Sequence, residues 1–456
     1  MKYKTVKKTL INASDYNYSK EILELNNMYN YINKEKYLTN KNKYNFMSGD
    51  PIKYKPYPPI IRHLRKTLKQ RNLHEYQSSN GNIQDRIIIN RYLKNIGINT
   101  SANNITFTYS TTHAFNLIFN CLGKAGDAII IPSPNYGLFD FVPERYGIKI
   151  IPLPLKSENN WLIDCEEFER LLKNYNKKNK KSKVRFFYNM NPHNPTGKVM
   201  SKKDIGIMEK IGNLAIKYDF YIIDDLIYRD LTYDILNMPI SFASFNAYIN
   251  NTIALFGISK SYNLASLRSG FIMSNASVAN ILQNKIFQQM DSVSIINIQS
   301  LISAFNINNK KQYKKYFLNI KKKYLFNYEI LKYLVSGINE STNSNYISKK
   351  KYINLIKKVL NYDDYKFALH ASSKLSFLPG LDQIDSGFFS LLKIKSNKNY
   401  YDLFDSLFEE ANVKIICGNS IMFPNSNEKV IRINFAVDSK TLILGIVSLK
   451  KYLDKN

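Results

Sequence analysis

The sequence predicts an α/β protein with two parts: a large domain whose mostly parallel seven-stranded sheet is flanked by helices, and a smaller α/β domain. Short apolar runs rich in Ile, Val, Phe and Tyr alternate with helical patterns through about residues 58–305. The runs are apolar almost without interruption, which is typical of strands that a parallel sheet buries on both faces. After residue 309 a long helical pattern rich in Lys and Tyr begins. This change of texture predicts the second domain.

The elements of the large domain follow one another in regular alternation. Runs too short for helices predict strands at 105–109, 128–132, 148–153, 184–189, 220–224, 252–256 and 270–274. Helical patterns cover 83–96, 112–122, 164–174, 202–217 and 277–290. Asp164 and Asp204 stand at predicted helix starts, where the helix dipole favours an acidic side chain.

The chain is predicted to divide into an N-terminal segment of the small domain (1–57), the large domain (58–308) and the C-terminal small domain (309–456). In the last part a helix at 310–334 precedes a polar stretch, 336–348, with the composition of a loop. Strands are predicted at 388–394, 414–417 and 429–435.

Bulk composition excludes several classes of protein. A chain of 456 residues with 44% hydrophobic residues is expected to be globular, with two or three domains. No apolar run reaches the ~18 residues of a membrane span, and no secretory signal follows the charged N-terminus. Cys121, Cys165 and Cys417 are too few and too scattered for a disulfide framework or a metal site. We therefore expect a cytoplasmic protein without a metal or a membrane partner.

The charge is strongly basic, with 65 Lys and Arg against 36 Asp and Glu and a net charge of +29. One interpretation is a nucleic-acid or anionic partner. The other is a coding bias toward Lys, Asn, Ile and Tyr that spreads lysines over solvated faces. Zinc-finger spacing and a helix-turn-helix pattern are both absent from the sequence, which favours the second interpretation. Specific nucleic-acid binding is not expected, although weak binding to polyanions at low salt is.

Lys260 lies in the segment 257–270, which reads GISKSYNLASLRSG. It stands eight residues before Arg268, in a Ser-rich stretch between two apolar runs. An amine and a fixed cation suit an aldehyde cofactor that carries a phosphate, because the amine forms a Schiff base and the guanidinium binds the phosphate bidentately. Most lysines of this chain are expected on the surface, so the interpretation depends on four other segments.

Two of these segments follow predicted strands. Residues 108–114, TYSTTHA, close a strand and open a helix, where backbone N–H groups and hydroxyls bind phosphate; an ordinary helix cap is the structural alternative. Residues 132–136, PSPNY, end at Tyr136, whose ring could stack on a flat ligand. Since the chain has 34 tyrosines, a packing role is the alternative for this one.

The remaining two segments also end strands. In residues 191–197, NPHNPTG, two prolines and a glycine favour a rigid extended loop that presents Asn194. Residues 220–228, FYIIDDLIY, end a buried strand in two carboxylates and Tyr228. A carboxylate at a strand end can hold a pyridine nitrogen protonated, which turns the ring into an electron sink. Capping of a following helix would explain one of the two aspartates but not the whole cluster.

Taken together and in this order, the five segments resemble the class I/II aminotransferases, the fold-type-I pyridoxal-phosphate (PLP) enzymes, over residues 47–436. The resemblance implies that Lys260 carries the cofactor and that Asp225, three residues before Tyr228, pairs with the pyridine nitrogen. It implies Tyr228 and Asn194 at the phenolic oxygen and Tyr136 against the ring. It also implies a phosphate site made by Thr111, Thr112, Ser259 and Arg268.

Weaker matches extend the resemblance. Tyr76, in 75–81 (EYQSSNG), would reach the phosphate of a partner subunit, which implies a homodimer. Gly49, in the turn SGDP, would lie on the substrate side together with Asn194. Arg432, in 430–436 (VIRINFA), would pair with the α-carboxylate of the substrate, since a planar fork suits carboxylates.

The sequence departs from the family pattern at several positions. Gly257 stands where many relatives have a phosphate-binding serine, and Ser110 stands where glycine is frequent. Asn263 and Ser266 replace glycines that are common after the lysine. Residues 335–386 form a longer connection than usual before the strand that begins near Phe388. The phosphate site and the choice of substrate are the features that these departures affect.

The resemblance implies an aminotransferase that moves an amino group between an amino acid and a 2-keto acid in a ping-pong cycle. Lys260 is then the natural general base. The same scaffold also supports β-lyases, decarboxylases, cyclases and oxidases of amino acids, because the cofactor supplies the electron sink and the pocket chooses the bond. A ligand-sensing regulator with a DNA-binding basic surface is a further alternative, although no appended DNA-binding domain is visible.

Overall fold

The computed structural model describes residues 31, 34, 44–51, 54–70, 73–337, 346–417 and 429–456. The strands, in chain order, are β1 (Tyr44–Asn45), β2 (Ile105–Thr108), β3 (Ala128–Ser133), β4 (Lys149–Pro154), β5 (Val184–Met190), β6 (Tyr221–Asp225), β7 (Thr252–Gly257), β8 (Gly270–Met273), β9 (Leu375–Phe377), β10 (Phe389–Ile394), β11 (Val413–Lys414), β12 (Ile416–Cys417) and β13 (Lys429–Asn434).

The α-helices of the described residues are α1 (Pro58–Thr67), α2 (Ile83–Asn95), α3 (Ser110–Leu122), α4 (Leu138–Glu144), α5 (Cys165–Lys178), α6 (Ile205–Tyr218), α7 (Ala276–Met290), α8 (Ile295–Phe305), α9 (Lys310–Ser336), α10 (Tyr346–Val359), α11 (Tyr362–Ala368), α12 (Tyr400–Glu409) and α13 (Ser439–Lys455). The 3-10 turn Lys202–Asp204 precedes α6, with Ser201 and Asp204 forming a capping box.

A seven-stranded sheet forms the centre of the fold, in the order β2-β8-β7-β6-β5-β3-β4. Strands β4, β3, β5, β6 and β7 pair in parallel, whereas β8 runs antiparallel to both β7 and β2. The predicted α/β class with a mostly parallel seven-stranded sheet is therefore confirmed. The positions of the seven predicted strands agree with the observed ones to within one residue at either end.

Both faces of this sheet are covered, which explains the near-continuous apolar runs. Successive residues of β3 belong to two different hydrophobic clusters, with Ile129 and Ile131 in one and Ile130 in the other. The alternation follows from the two-residue repeat of a strand, which points neighbouring side chains to opposite faces. Because both clusters are apolar, the sequence shows no polar alternation at these positions.

The carboxyl edge of the parallel strands collects the polar segments of the sequence. Strand β6 ends at Asp225, and β7 ends at Gly257, three residues before Lys260. Since β8 runs in the opposite direction, Arg268 precedes it and reaches the same edge. This arrangement places ligand-binding chemistry where open α/β sheets usually have it.

A second layer is built from antiparallel strands in the order β12-β13-β10-β9. A separate parallel pair joins β1 to β11, with Tyr44 opposite Val413. The predicted single strand at 414–417 is therefore wrong: the chain leaves β11 at Lys414 and pairs Ile416 with Arg432 of β13. A continuous apolar run does not reveal where a strand changes its hydrogen-bonding partner, which accounts for the error.

The long connection 335–386 contains α10, α11 and β9. The predicted loop 336–348 is too long at its C-terminal end, because α10 begins at Tyr346. In the Lys-rich sequence of α10 apolar residues recur with a helical period, and two of them, Ile353 and Ile356, are buried. Residues 338–345 and most of the N-terminal segment 1–57 lie outside the described residues.

Membrane spans, metal-binding groups and the cysteines can also be assessed in the described residues. None of their helices is both long enough and apolar enough to span a membrane. They also contain no group of three His, Cys, Asp or Glu side chains that could bind a metal ion. Cys121 and Cys165 are free thiols.

Candidate active site

A cavity of about 270 Å³ opens at the carboxyl edge of the large sheet. Its size lies near the lower end of ordinary ligand pockets. It is lined by Gly49, Ser110, Thr111, Thr112, Tyr136, Met190, Asn194, Asp225, Ile227, Tyr228, Ser259, Lys260, Arg268, Phe389 and Arg432. All the predicted site residues except Tyr76 lie in this lining, although their positions in the sequence span 384 residues.

Lys260 presents its amine inside the cavity. Its Nζ donates a hydrogen bond of 2.6 Å to the carbonyl oxygen of Gly49. Burial lowers the pKa of Lys260 to about 8; the carboxylates of Asp50 and Asp225 oppose this shift, whereas the nearby cations of Arg432 and Arg268 add to it. A sizeable fraction of the amine is therefore neutral near pH 8, which is the form that acts as a nucleophile or a base.

Asp225 is fully buried at the end of β6. Burial raises the pKa of its carboxyl group to about 7. Two hydrogen bonds oppose this rise: the Ile227 backbone N–H donates to Oδ1 at 3.0 Å, and the Tyr188 hydroxyl donates to Oδ2 at 3.1 Å. A cation placed beside Asp225 in the cavity would favour its ionised form further.

The neighbouring Asp224 has a different environment. Its carboxylate accepts hydrogen bonds from the Asn189 amide, the Ser241 hydroxyl and the Phe242 backbone N–H. It does not line the cavity. Asp224 therefore ties β6 to its surroundings, whereas Asp225 faces the site.

Asn194 and Tyr228 approach each other across the cavity, with the Asn194 amide nitrogen 3.5 Å from the Tyr228 hydroxyl. Asn194 Oδ1 is buried and has no hydrogen-bond partner among the described residues. The loop that carries Asn194 is held by Asn191, whose amide nitrogen donates to Met200 O and whose Oδ1 accepts from Met200 N. The side chains thus offer fixed polar groups to a ligand.

The N-terminus of α3 and Arg268 form a cationic end of the cavity. Arg268 donates from Nη2 to Ser110 Oγ at 2.5 Å, and its Nη1 lies 3.5 Å from Ser259 Oγ. Thr111 and Thr112 occupy the first turn of α3, where unpaired N–H groups and the helix dipole favour an anion. This end of the cavity is suited to a phosphate group.

Arg432 occupies the middle of β13 and faces the cavity from the other side. Its guanidinium carbon lies 4.2 Å from the centre of the Phe389 ring, and Nη2 donates to Met47 O at 3.1 Å. The Nε atom is buried without a hydrogen-bond partner among the described residues. Arg432 therefore retains a donor for a carboxylate in the cavity.

Tyr76 lies apart from these residues. Its side chain is 87% exposed, and it does not line the cavity. The prediction that it completes the site of a partner subunit remains a prediction.

Sequence reasoning missed some of the site. Tyr188 contacts Asp225 from the adjacent strand β5, and Ser110 contacts Arg268 from the start of α3. Phe389 lies under the Arg432 guanidinium. Ser110 was noticeable only as a departure from a glycine, and Phe389 only as part of a strand. No local signal in the sequence singles out Tyr188.

The sequence model of the family described as aminotransferase class I and II matches residues 40–446. An arginine–pyruvate transaminase of Pseudomonas aeruginosa is 25% identical over 236 residues, which are 52% of this chain and 56% of that protein. An aspartate aminotransferase of Musicola paradisiaca is 29% identical over 177 residues, 39% of this chain and 41% of that protein. The chain thus spans about half the length of the curated relatives it matches.

Solved structures extend the likeness to nearly the whole chain. An aromatic aminotransferase from Pyrococcus horikoshii superposes with a TM-score of 0.72 at 18% identity, covering 95% of this chain and 98% of that one. At such an identity the superposition establishes a common fold.

Proposed function

The chain belongs to the aminotransferase class I and II family, and from this premise we propose that it is a PLP-dependent aminotransferase acting on an amino acid and a 2-keto acid. One observation carries the proposal. A buried carboxylate, Asp225, and an amine of lowered pKa, Lys260, line the same cavity as a cationic anion-binding end. These are the protein groups that a pyridine aldehyde bearing a phosphate requires.

The residues present fit this cofactor. Asn194 Oδ1 is a buried polar atom without a partner among the described residues, as expected of a group that awaits a ligand. Arg268 and the N-terminus of α3 would hold the phosphate, with Thr111, Thr112 and Ser259 beside them. Asp225 would hold the pyridine nitrogen, Asn194 and Tyr228 the phenolic oxygen, and Tyr136 the face of the ring.

When bound, the cofactor supplies an electron sink for the charge that develops on the substrate α-carbon. Lys260 Nζ is the group of this chain that takes the α-proton, because its lowered pKa leaves it partly neutral near pH 8. Asp225 would hold a negative charge beside the pyridine nitrogen of the bound cofactor, supported by the hydrogen bonds from Tyr188 and the Ile227 N–H. Arg432 orients the substrate through its carboxylate.

Replacing Arg432 with lysine is expected to raise KM for the amino acid and to lower kcat/KM about 100-fold. Lysine keeps the charge but loses the planar fork and its bidentate hydrogen bonds. Steady-state kinetics over a range of amino acid concentrations measure the change. Arg145→Lys is the matched control, because Arg145 is exposed on the surface. An unchanged KM in the Arg432 variant would contradict the assignment.

We also propose a homodimer in which Tyr76 completes the site of the partner subunit, and its exposed side chain supports this idea. The test is complementation between two inactive variants. Lys260→Ala and Tyr76→Ala subunits, co-expressed with different tags, should form a hybrid with one intact site and regain activity that neither homodimer has. A hybrid as inactive as both parents would contradict the shared site, as would an active monomer in sedimentation velocity.

The rival chemistries of this scaffold are separated by their products. Incubation with single amino acids, with and without a 2-keto acid, should give an aminated product only when the acceptor is present. Release of ammonia, carbon dioxide or peroxide without an acceptor would instead indicate a β-lyase, a decarboxylase or an oxidase.

We further propose a cytoplasmic protein without a membrane or a specific nucleic-acid partner. We also propose that the chain divides into domains after residues 57 and 308.

A further inference from the structure

Tyr262, two residues after Lys260, is hydrogen-bonded to a buried carboxylate. Its hydroxyl donates to Asp230 Oδ2 at 3.2 Å, and both residues are buried. The carbonyl oxygen of Ala304 lies 3.4 Å from the same hydroxyl, but the charged acceptor is nearer and stronger. Asp230 stands two residues after Tyr228, which lines the cavity. The hydrogen bond therefore joins the segment that carries the amine of the cavity to the segment that carries its phenol.

A second hydrogen bond joins the same two segments. The Ser261 hydroxyl, which is also buried, donates to the carbonyl oxygen of Ile227 at 3.0 Å. Ile227 lines the cavity and immediately precedes Tyr228. Each of the two residues that follow Lys260 is thus bonded to residues 227–230. The backbone beside the amine cannot shift unless that segment moves with it or the two hydrogen bonds break.

The Asp230 carboxylate is itself paired with a cation. Arg229 Nη1 lies 3.1 Å from Asp230 Oδ1, and the side chains are only 15% and 4% exposed. Taking two charges out of water is costly, and apolar residues of the same volume often stabilise a protein as well or better. Stability therefore does not explain the pair by itself. What the pair provides is an ionised acceptor in a fixed position for the Tyr262 hydroxyl.

Aromatic neighbours fix the ring of Tyr262. The ring centres of Tyr57, Phe305 and Phe317 lie 5.5, 5.6 and 5.3 Å from that of Tyr262. Phe305 ends α8 and Phe317 belongs to α9, so the ring is packed between separate elements. Phenylalanine at position 262 would keep this packing and lose only the hydroxyl.

We propose that Tyr262, anchored by Asp230, is a positioning residue for Lys260, which it holds so that Nζ stays directed into the cavity. The inference rests on the proposed function, since it concerns the amine that holds the cofactor and takes the α-proton. Neither Tyr262 nor Asp230 lines the cavity, so their effect on the reaction passes through Lys260. A displacement of about 1 Å at a reacting group can slow a reaction about 100-fold, which makes such a support important.

The test separates attachment of the cofactor from its binding. Tyr262→Phe is expected to slow covalent attachment of PLP to the cofactor-free protein, trapped with borohydride, about tenfold. It should lower kcat by a similar factor and leave KM for the amino acid within about twofold, because Arg432 is untouched. In a Lys260→Ala background the same substitution should leave PLP affinity unchanged, since the cavity lining is intact. Ser261→Ala combined with Tyr262→Phe removes both hydrogen bonds and should slow attachment further.

Tyr248→Phe is the matched control. Tyr248 is buried, its hydroxyl donates to Asn213 Oδ1 at 3.1 Å, and it does not line the cavity. Its variant should lower the unfolding temperature about as much as Tyr262→Phe does and keep the attachment rate and kcat of the wild type. Wild-type attachment in Tyr262→Phe, equal slowing in Tyr248→Phe, or weaker PLP binding in the Lys260→Ala background would each overturn the proposal. A wild-type protein that binds no PLP would overturn the proposed function instead.

Discussion

Lys260→Ala is expected to abolish covalent retention of the cofactor and to lower turnover by at least about 10⁴-fold, since one amine serves as both attachment point and base. The amine lies in the cavity, hydrogen-bonded to the Gly49 carbonyl oxygen, and burial lowers its pKa to about 8. Borohydride reduction followed by peptide mapping should locate a cofactor adduct at Lys260 in the wild type and none in the variant.

Lys450 supplies the control for this experiment. Burial lowers the pKa of Lys450 to about 8 as well, but its Nζ donates to His370 O in another part of the fold. Reactivity that came from a lowered pKa alone would label both lysines, whereas a site defined by the cavity labels Lys260 alone. Lys450→Met should keep both adduct and turnover. An adduct at Lys450, or a Lys260→Ala protein with wild-type turnover, would refute the assignment.

Asp225→Asn is expected to stabilise the cofactor-free protein while reducing turnover by at least about 10³-fold. The folded-state pKa of about 7 lies above the value of about 3.9 for an unfolded chain, so the folded protein holds the proton more tightly. The stability of the wild type therefore falls as the pH rises from about 4 to about 7. Asparagine avoids that loss, which is on the order of a few kcal/mol at pH 8 and smaller at pH 5, before lost hydrogen bonds are counted.

Thermal unfolding of the two cofactor-free proteins at pH 5 and pH 8 measures this effect. The variant should unfold at a higher temperature, and the difference should be larger at pH 8. Asp224→Asn is the matched control, since Asp224 is equally buried but faces away from the cavity. A loss of turnover in Asp224→Asn as large as in Asp225→Asn would contradict the distinct role of Asp225. A difference that grows toward pH 5 would contradict the raised pKa.

Much of the fold could be predicted because the sheet is buried on both faces. The run AIII at 128–131 is apolar throughout and lies between two helical patterns. Such a run predicts a strand that is buried on both faces. The antiparallel direction of β8 and the division of 414–417 between two sheets could not be predicted. Both depend on which strand lies alongside, and that information is not in the local pattern.

In the candidate site, too, some features could be predicted from the sequence and others could not. Residues that follow strand ends, such as Asn194 and Lys260, could be predicted, since the edge of a parallel sheet gathers them. The hydrogen bond from Tyr188 to Asp225 depends on the register between β5 and β6, in which Met190 stands opposite Asp225. That register places Tyr188 on the same face two residues earlier. A single sequence does not fix that pairing.

The hydrogen bonds that join β13 to the turn around Gly49 have a mechanical consequence. Asn434 donates to the carbonyl oxygens of Ser48 and Asp50, and Arg432 of the same strand donates to Met47 O. These hydrogen bonds fix the turn around Gly49 to the C-terminal sheet, although the turn and the strand are almost 400 residues apart in the sequence. If the β12-β13-β10-β9 sheet slid over the seven-stranded sheet, the Arg432 guanidinium and the Gly49 carbonyl oxygen that accepts from Lys260 would move together.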